Sequence, residues 1–184
     1  VQGAALNVDD IVETANHFRC IDMVIDCADQ PLTESFVKRL HAVLKNGTTD
    51  SRLDYFAVGD YKRLPNTVGN METTHPSQVS AQMRALINGY NAVAVKSLQD
   101  FLEFHYRFER IHPFRDGNGR VGRLLLLKSC LQYNIVPFVI DEEMKFFYYR
   151  GLQQWEEERG FLTETCLAAQ DKFKRWLDYF EIGY

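Results

Sequence analysis

Residues 112–127 read His112-Pro113-Phe114-Arg115-Asp116-Gly117-Asn118-Gly119-Arg120-Val121-Gly122-Arg123-Leu124-Leu125-Leu126-Leu127. The middle of this stretch, Arg115-Asp116-Gly117-Asn118-Gly119, cannot continue a helix comfortably, so a tight turn is expected there. A new helix is expected to start near Gly119 or Arg120. Its run of four leucines is apolar all round, which marks a central, buried helix. Asn134 and Pro137 end it. On the other side of the turn, Ser97 followed by Asp100 reads as a helix cap. Leu98, Phe101, Leu102, His105 and Phe108 share one side of the helix that follows, and His112 falls on that side at its C-terminal end.

Working outward, the helical period recurs. Asn7 followed by Asp10 reads as a capping-box variant, after which Ile11, Ala15, Phe18, Ile21, Val24 and Ile25 recur at helical spacing. Pro31 breaks the chain, and a second helix is expected over residues 33–44, stopping at Asn46-Gly47. Residues 47–76 differ, with Gly59, Pro65, Gly69, Asn70 and Pro76 among many Thr and Asp. Residues 59–63 and 67–70 are read as the two arms of a small hairpin. A loop this long in a compact domain usually serves function, so it is read as a flap. Ser77 reads as the N-cap of a helix to about Tyr90, and two more helices are expected over 142–158 and 163–179. Neither internal repeats nor low-complexity segments occur.

The 184 residues fit one domain with a substantial core, and 46% of them are apolar. The net charge is −4 and Lys and Arg form no run, so nucleic acid is not an expected partner. Apolar runs stay far short of the roughly 20 residues a bilayer span needs, so no membrane is expected either. Cys20, Cys27, Cys130 and Cys166 form no C-x-x-C pair and read as thiols in a reducing compartment. The chain opens Val1-Gln2-Gly3 with no signal-peptide pattern. These absences make the cytoplasm the expected location.

The turn at 115–119 carries the chemistry. Gly117 and Gly119 let the backbone turn tightly and expose its N–H groups, and the following helix adds unpaired N–H groups and the positive end of its dipole. This is an anion site. Arg120 and Arg123 sit in the helix's first turn, where each cation is disfavoured by roughly 0.3–1 kcal/mol. A bound triphosphate, gripped by guanidinium forks, would compensate. Asp116 would repel that triphosphate unless a cation intervened, and Mg²⁺ shared between one carboxylate and phosphate oxygens is the usual solution. His112, just before the loop, suits a general base. Each residue also has an ordinary structural use: His112 as a helix C-cap, Gly-x-Gly as a turn, Asp116 as a cap, the arginines as partners of surface acids. Their concentration within twelve residues favours phosphoryl or nucleotidyl transfer. The Walker-type loop is absent.

The stretch from His112 to Arg123 resembles the Fic family signature H-P-F-x-[DE]-G-N-G-R-x-x-R, with every defining position matched. The resemblance extends over about residues 55–165. Gly59-Asp60-Tyr61-Lys62-Arg63 is similar to the family's G-x-Y-R segment, with one residue more or less in register. Residues 67–76 look like its flap, and Tyr148-Tyr149-Arg150-Gly151-Leu152 is similar to a stretch near its adenine pocket. The resemblance implies one all-α domain over residues 1–184, a helical bundle around a central buried helix with a small β-hairpin flap. Its core would cover about 55–165, with N-terminal helices at 7–46 and a C-terminal helix at 163–180 packed on it. It further implies transfer of AMP from ATP to a Ser, Thr or Tyr hydroxyl of a protein, with release of pyrophosphate. His112 would be the base and Asp116 the Mg²⁺ ligand. Gly117, Asn118 and Gly119 would cradle phosphates, Arg120 and Arg123 would neutralise them, and Tyr148 and Tyr149 would border the adenine. Phe114 would anchor the loop in the core. The flap residues Val68, Gly69, Asn70, Met71 and Glu72 would pair with the target's extended backbone. A kinase relative carries Lys at the position of Gly119, so this chain sides with AMP transfer.

Many relatives carry an inhibitory motif, [ST]-x-x-x-E-[GN], whose Glu pairs with the second motif arginine. The opening Val1-Gln2-Gly3 places Gln2 at that Glu. Either Gln replaces an inhibitory Glu, or the motif was never here, and both imply a weakly restrained enzyme; an ordinary helix start is the structural alternative. Glu181 has Leu177 where the motif needs Ser or Thr, so no C-terminal inhibitory helix is expected. Self-modification, an antitoxin in trans and a homo-oligomer remain open. So do another nucleotide or a phosphocholine donor, removal of AMP, and a nucleotide-binding module without turnover.

Overall fold

The computed structural model describes residues 7–69 and 71–184. Helix α1 (Val8–Asp26) starts at Asn7, whose side chain accepts the Asp9 N–H at 3.1 Å. Helix α2 (Glu34–Lys45) starts at Thr33, whose hydroxyl accepts the Phe36 N–H at 3.1 Å. Its C-terminal carbonyls would lack intrahelical donors. Asn16 of α1 supplies them, donating to the carbonyls of Leu44 and Asn46 at 3.1 and 2.8 Å. Helix α3 (Pro76–Ala92) is capped by His75, not by Ser77. Pro76 takes the first helical position, where its missing N–H has no partner to lose. Helix α4 (Leu98–Ile111) has the expected capping box of Ser97 and Asp100.

Helix α5 (Asn118–Gln132) packs against α4, α1 and α2. Val121, Leu124, Leu125 and Leu126 are at most 5% exposed, which makes α5 the expected central helix. Each fully buried leucine contributes roughly 1.5–3 kcal/mol by leaving water. Helix α6 (Lys145–Gln153) is shorter than the sequence predicts. The turn after it delivers Trp155 into the core, where its indole N–H donates to Glu103 at 2.9 Å. Helix α7 (Gly160–Tyr179) packs on α6 and α4.

The apolar stripe of α1 is only partly its buried side: Val24 lies in the core and Ile21 packs against it, but the rest faces outward. Ile11, Phe18 and Ile25 are more than half exposed, and the inward face is Glu13, Asn16, Cys20 and Val24. The hairpin is also placed differently. Strands β1 (Thr67–Val68) and β2 (Met71–Glu72) pair antiparallel, Thr67 with Glu72 and Val68 with Met71. Residues 59–63 form no arm of it, because Gly59 turns at φ +77° and the Lys62 N–H donates to the Pro113 carbonyl at 2.8 Å. All four cysteines are free. No helix among the described residues is long and apolar enough to cross a membrane.

Candidate active site

Helix α4 ends at His112, which adopts a left-handed conformation (φ +51°, ψ +62°) while its N–H still bonds the Phe108 carbonyl. That conformation is disfavoured for a residue with a Cβ and needs support from its surroundings. Support comes from both sides of the loop. Phe114 is fully buried and stacks on His41 of α2, with ring centroids 3.9 Å apart and planes 9° from parallel. The Asn118 side chain accepts from the Phe114 N–H (2.8 Å) and donates to its carbonyl (2.9 Å). His41 Nδ1 accepts the Gly59 N–H at 3.0 Å, which leaves its Nε2–H to donate to the Asp116 carbonyl at 3.2 Å. Burial holds the His41 ring down at about 4, so it stays neutral in this role.

Gly117 is the N-cap of α5, left-handed at φ +79°, with no side chain to cap the helix. The first-turn N–H groups of α5 are therefore available to an anion. The Asn118 side chain is committed to Phe114, so its part in a phosphate cradle falls to its backbone. A Cβ at Gly119 would stand 3.2 Å from a guanidinium nitrogen of Arg123.

An ion cluster centred on the buried Lys45 lies under the loop. Lys45, 1% exposed, donates to Glu13 at 2.5 Å and to Asp116 at 2.8 Å, with Asp50 at 3.4 Å. Arg120 pairs with Glu13 and, at 3.1 Å, with Asp116. Burial alone would raise the Asp116 carboxyl, but the Lys45 ammonium bonded to it holds it below the usual carboxylate range. Arg123 forms no ion pair among the described residues. Both arginines, with Glu13 and His17, border a pocket of about 650 Å³, a volume typical of small-molecule sites.

The His112 ring lies with Nδ1 at 3.3 Å from the Glu109 carbonyl oxygen. Only a donating Nδ1–H satisfies that contact, so Nε2 keeps its lone pair. Burial, helped by the nearby Lys62 ammonium, lowers the imidazole to about 4. Lys62 is itself buried. Its ammonium bonds Asn66 Oδ1 (2.7 Å), Thr73 Oγ1 (2.6 Å) and the Ile111 carbonyl (3.4 Å). It thereby ties the base of the hairpin to the helix end that carries His112.

Among the other expected site residues, Tyr148 is buried and its hydroxyl lies 2.5 Å from His105 Nε2. Tyr149 stands edge-on to it at 5.4 Å and is half exposed. In the hairpin, Val68 is exposed, Gly69 is left-handed, and Met71 contacts the Arg110 guanidinium. Asn70 and Gln2 lie outside the described residues. Among the described residues no cluster of three or more His, Cys, Asp or Glu forms a self-sufficient metal site. Both cation contacts of Asp116 fall on Oδ2. One carboxylate suits Mg²⁺ only where phosphates and water complete the shell, the arrangement this ion prefers.

Sequence reasoning missed Glu13, His41, Lys45, Lys62 and Glu109. A signal existed for three of them. Lys45 and His41 share the inward face of α2 with Val37 and Leu44, and Glu13 shares that of α1 with Asn16 and Cys20.

The family model described as the Fic/DOC family matches residues 31–130. A protein named protein adenylyltransferase Fic from Aedes aegypti is 30% identical over 125 residues, covering 66% of this chain and 25% of that protein. A protein of the same name from Drosophila grimshawi is 27% identical over 137 residues, covering 70% and 28%. The chain thus spans about a quarter of the length of these curated relatives. A Fic domain containing signaling protein from Bacteroides thetaiotaomicron superposes with a TM-score of 0.74 at 28% identity, covering 97% of this chain and 69% of that one. A Fic family protein from Desulfovibrio desulfuricans has the same TM-score at 22% identity, covering 99% and 57%, a likeness of fold.

Proposed function

Because the chain belongs to the Fic/DOC family, we propose that it transfers AMP from ATP to a hydroxyl of a protein. The observation that carries this reading is His112 Nδ1 set 3.3 Å from the Glu109 carbonyl, a contact that leaves Nε2 bare, beside the uncapped N-terminus of α5. A base and an anion cradle on one rigid loop are what an in-line displacement at phosphorus requires.

His112 Nε2 takes the proton of the target hydroxyl as its oxygen bonds to the α-phosphorus. The bond from that phosphorus to the bridging oxygen breaks, and pyrophosphate leaves with the electron pair. The backbone N–H groups of Asn118, Gly119 and Arg120 receive phosphate oxygens. Arg123, which forms no ion pair among the described residues, supplies positive charge, and Arg120 does so on exchanging a carboxylate partner. Asp116 would hold Mg²⁺, which screens phosphate charge when bound. The hairpin of residues 67–72 offers a strand edge to the target's backbone, and Tyr149 is the tyrosine of the 148–149 pair that solvent, and so a base, reaches.

The test is intact mass after incubation with ATP and Mg²⁺, for this chain and for His112→Ala, with a host lysate in parallel. An AMP adduct on the chain or on lysate proteins, lost in His112→Ala, supports the reading. ATP binding without any adduct sinks it, and moves another donor, AMP removal or a binding-only role ahead.

A further inference from the structure

Glu109 lies one turn before His112 on α4, and the reading of the site so far leaves its carboxylate without a task. Its Oε2 stands 3.8 Å from His112 Nδ1, the same nitrogen that its own main-chain carbonyl meets at 3.3 Å. Its Oε1 is buried with no hydrogen-bond partner. That oxygen packs so closely on α5 that a Cβ at Gly122 would come within 2.7 Å of it. A buried carboxylate oxygen without a donor destabilises a fold. An apolar side chain of similar size would avoid that penalty but could not face Nδ1 with a negative charge.

The geometry points to Glu109 as the positioning residue of the His112 base. Its carboxylate holds the proton on Nδ1, keeps Nε2 bare for the target hydroxyl, and pairs with the imidazolium that forms when that proton arrives. This inference rests on the base role proposed for His112. Through the step the ring keeps Nδ1–H. Nε2 gains the hydroxyl proton, and the new positive charge is met by the carboxylate 3.8 Å away. The logic is that of a base oriented and stabilised by a third group.

The surroundings of the pair set when it works. His105 precedes Glu109 by one turn, with its Nδ1 also buried and unpartnered. Arg123 faces the carboxylate from α5 and Tyr148 from α6. Burial pushes the Glu109 carboxyl up to about 7, against the pull of Arg123. Burial and Lys62 lower the His112 ring, while Asp116 favours its charged form. An imidazole as weakly basic as this one makes a poor general base at neutral pH, and a carboxylate beside it offsets the deficit. As pH falls through about 7, Glu109 takes a proton and its negative charge at Nδ1 is lost.

The experiment uses the full chain in ¹⁵N-labelled form, with His112→Ala to assign the ring signals. Ring ¹⁵N–¹H spectra across pH report the tautomer and titration of His112 directly. Glu109→Gln keeps the size and removes the charge, and Glu109→Asp keeps the charge at a greater distance. In the wild type the His112 ring signals should shift as Glu109 titrates near 7, well above the ring's own titration near 4, and in Glu109→Gln that step near 7 should be lost. In parallel, kcat for AMP transfer from ATP falls about tenfold with KM for ATP unchanged, and the acid limb near pH 7 disappears. Glu109→Asp keeps the limb at a reduced rate. His112 ring signals that show no step near pH 7 in the wild type, or that keep it in Glu109→Gln, would overturn the assignment, as would a loss of kcat that leaves the acid limb in place. If the wild-type chain forms no adduct with ATP, the transfer reading fails, and the ring spectra alone then decide the role of Glu109.

Discussion

Replacing Lys45 with Met removes the cation that Glu13, Asp50 and Asp116 share. At 2.8 Å and an effective dielectric of about 20, one such pair has a gross Coulomb attraction of roughly 6 kcal/mol, most of it offset by desolvation. Removing one member of a buried pair costs about 3–5 kcal/mol, because the other charge is left without a partner. Here the Asp116 side chain is 51% exposed and Arg120 still reaches both Glu13 and Asp116. The loss should therefore sit at the low end, about 3 kcal/mol. For a chain of this size that is a fall in Tm of roughly 6–12 °C. The assay is urea unfolding of the wild type, Lys45→Met, Glu13→Gln and the double variant, with a check that the m-value stays constant. In the Glu13→Gln background the Lys45 substitution should cost only about 1 kcal/mol, a coupling expected of residues in one network. A single-variant loss under about 1 kcal/mol, or additive losses, would refute the view that Lys45 holds the cluster beneath the loop.

Stability should rise with pH between about 5 and 6. His41, His105 and His112 are held by burial at about 4, 3 and 4, below the unfolded value of 6.5. Glu109 is raised to about 7 and acts in the opposite sense. In that window the unfolded chain binds about two more protons than the native one, so urea unfolding should show stability falling by on the order of 2–3 kcal/mol per pH unit of acidification. Asp116 adds a loss at lower pH, since its depressed carboxyl contributes fully above about 3.8 and loses its contribution as pH falls through the folded value. Gly119→Ala should leave stability within about 1 kcal/mol but weaken ATP binding severalfold by calorimetry, because the new Cβ displaces Arg123; unchanged affinity would show that Arg123 tolerates the shift. Lys62→Met should cost about 1–3 kcal/mol through an unsatisfied Ile111 carbonyl and the bonds lost at Asn66 and Thr73, and should slow transfer to protein more than it weakens ATP binding. Equal effects on both would remove the hairpin from target recognition.

How much was legible depended on the range of the interaction. The turn at 115–119, the capping box of Ser97 and Asp100 and the helix of four leucines were readable because they are local, set by glycine conformations, side-chain caps and the 3.6-residue period. One arm of the hairpin was misplaced because the Gly59 and Lys62 N–H groups bond His41 and the Pro113 carbonyl, partners distant in sequence, and no local pattern announces that. The inward face of α1 was misread because Glu13 and Asn16 are polar, and periodicity counts only apolar residues. Both are buried because partners on α2 and α5 satisfy them.

The sequence by itself determined that a tight turn at residues 115–119 leads into a helix, with a histidine ahead of it, since that follows from residue types at fixed spacing. Only the tertiary structure decided which tautomer His112 holds, which arginine is already paired, and which side chains pin the loop. Those outcomes turn on contacts of a few ångströms between α1, α2, α4 and α5, where burial and partner geometry set the charge state of each group. Sequence separation says nothing of these distances, and at 2.5–3.8 Å they govern the electrostatics.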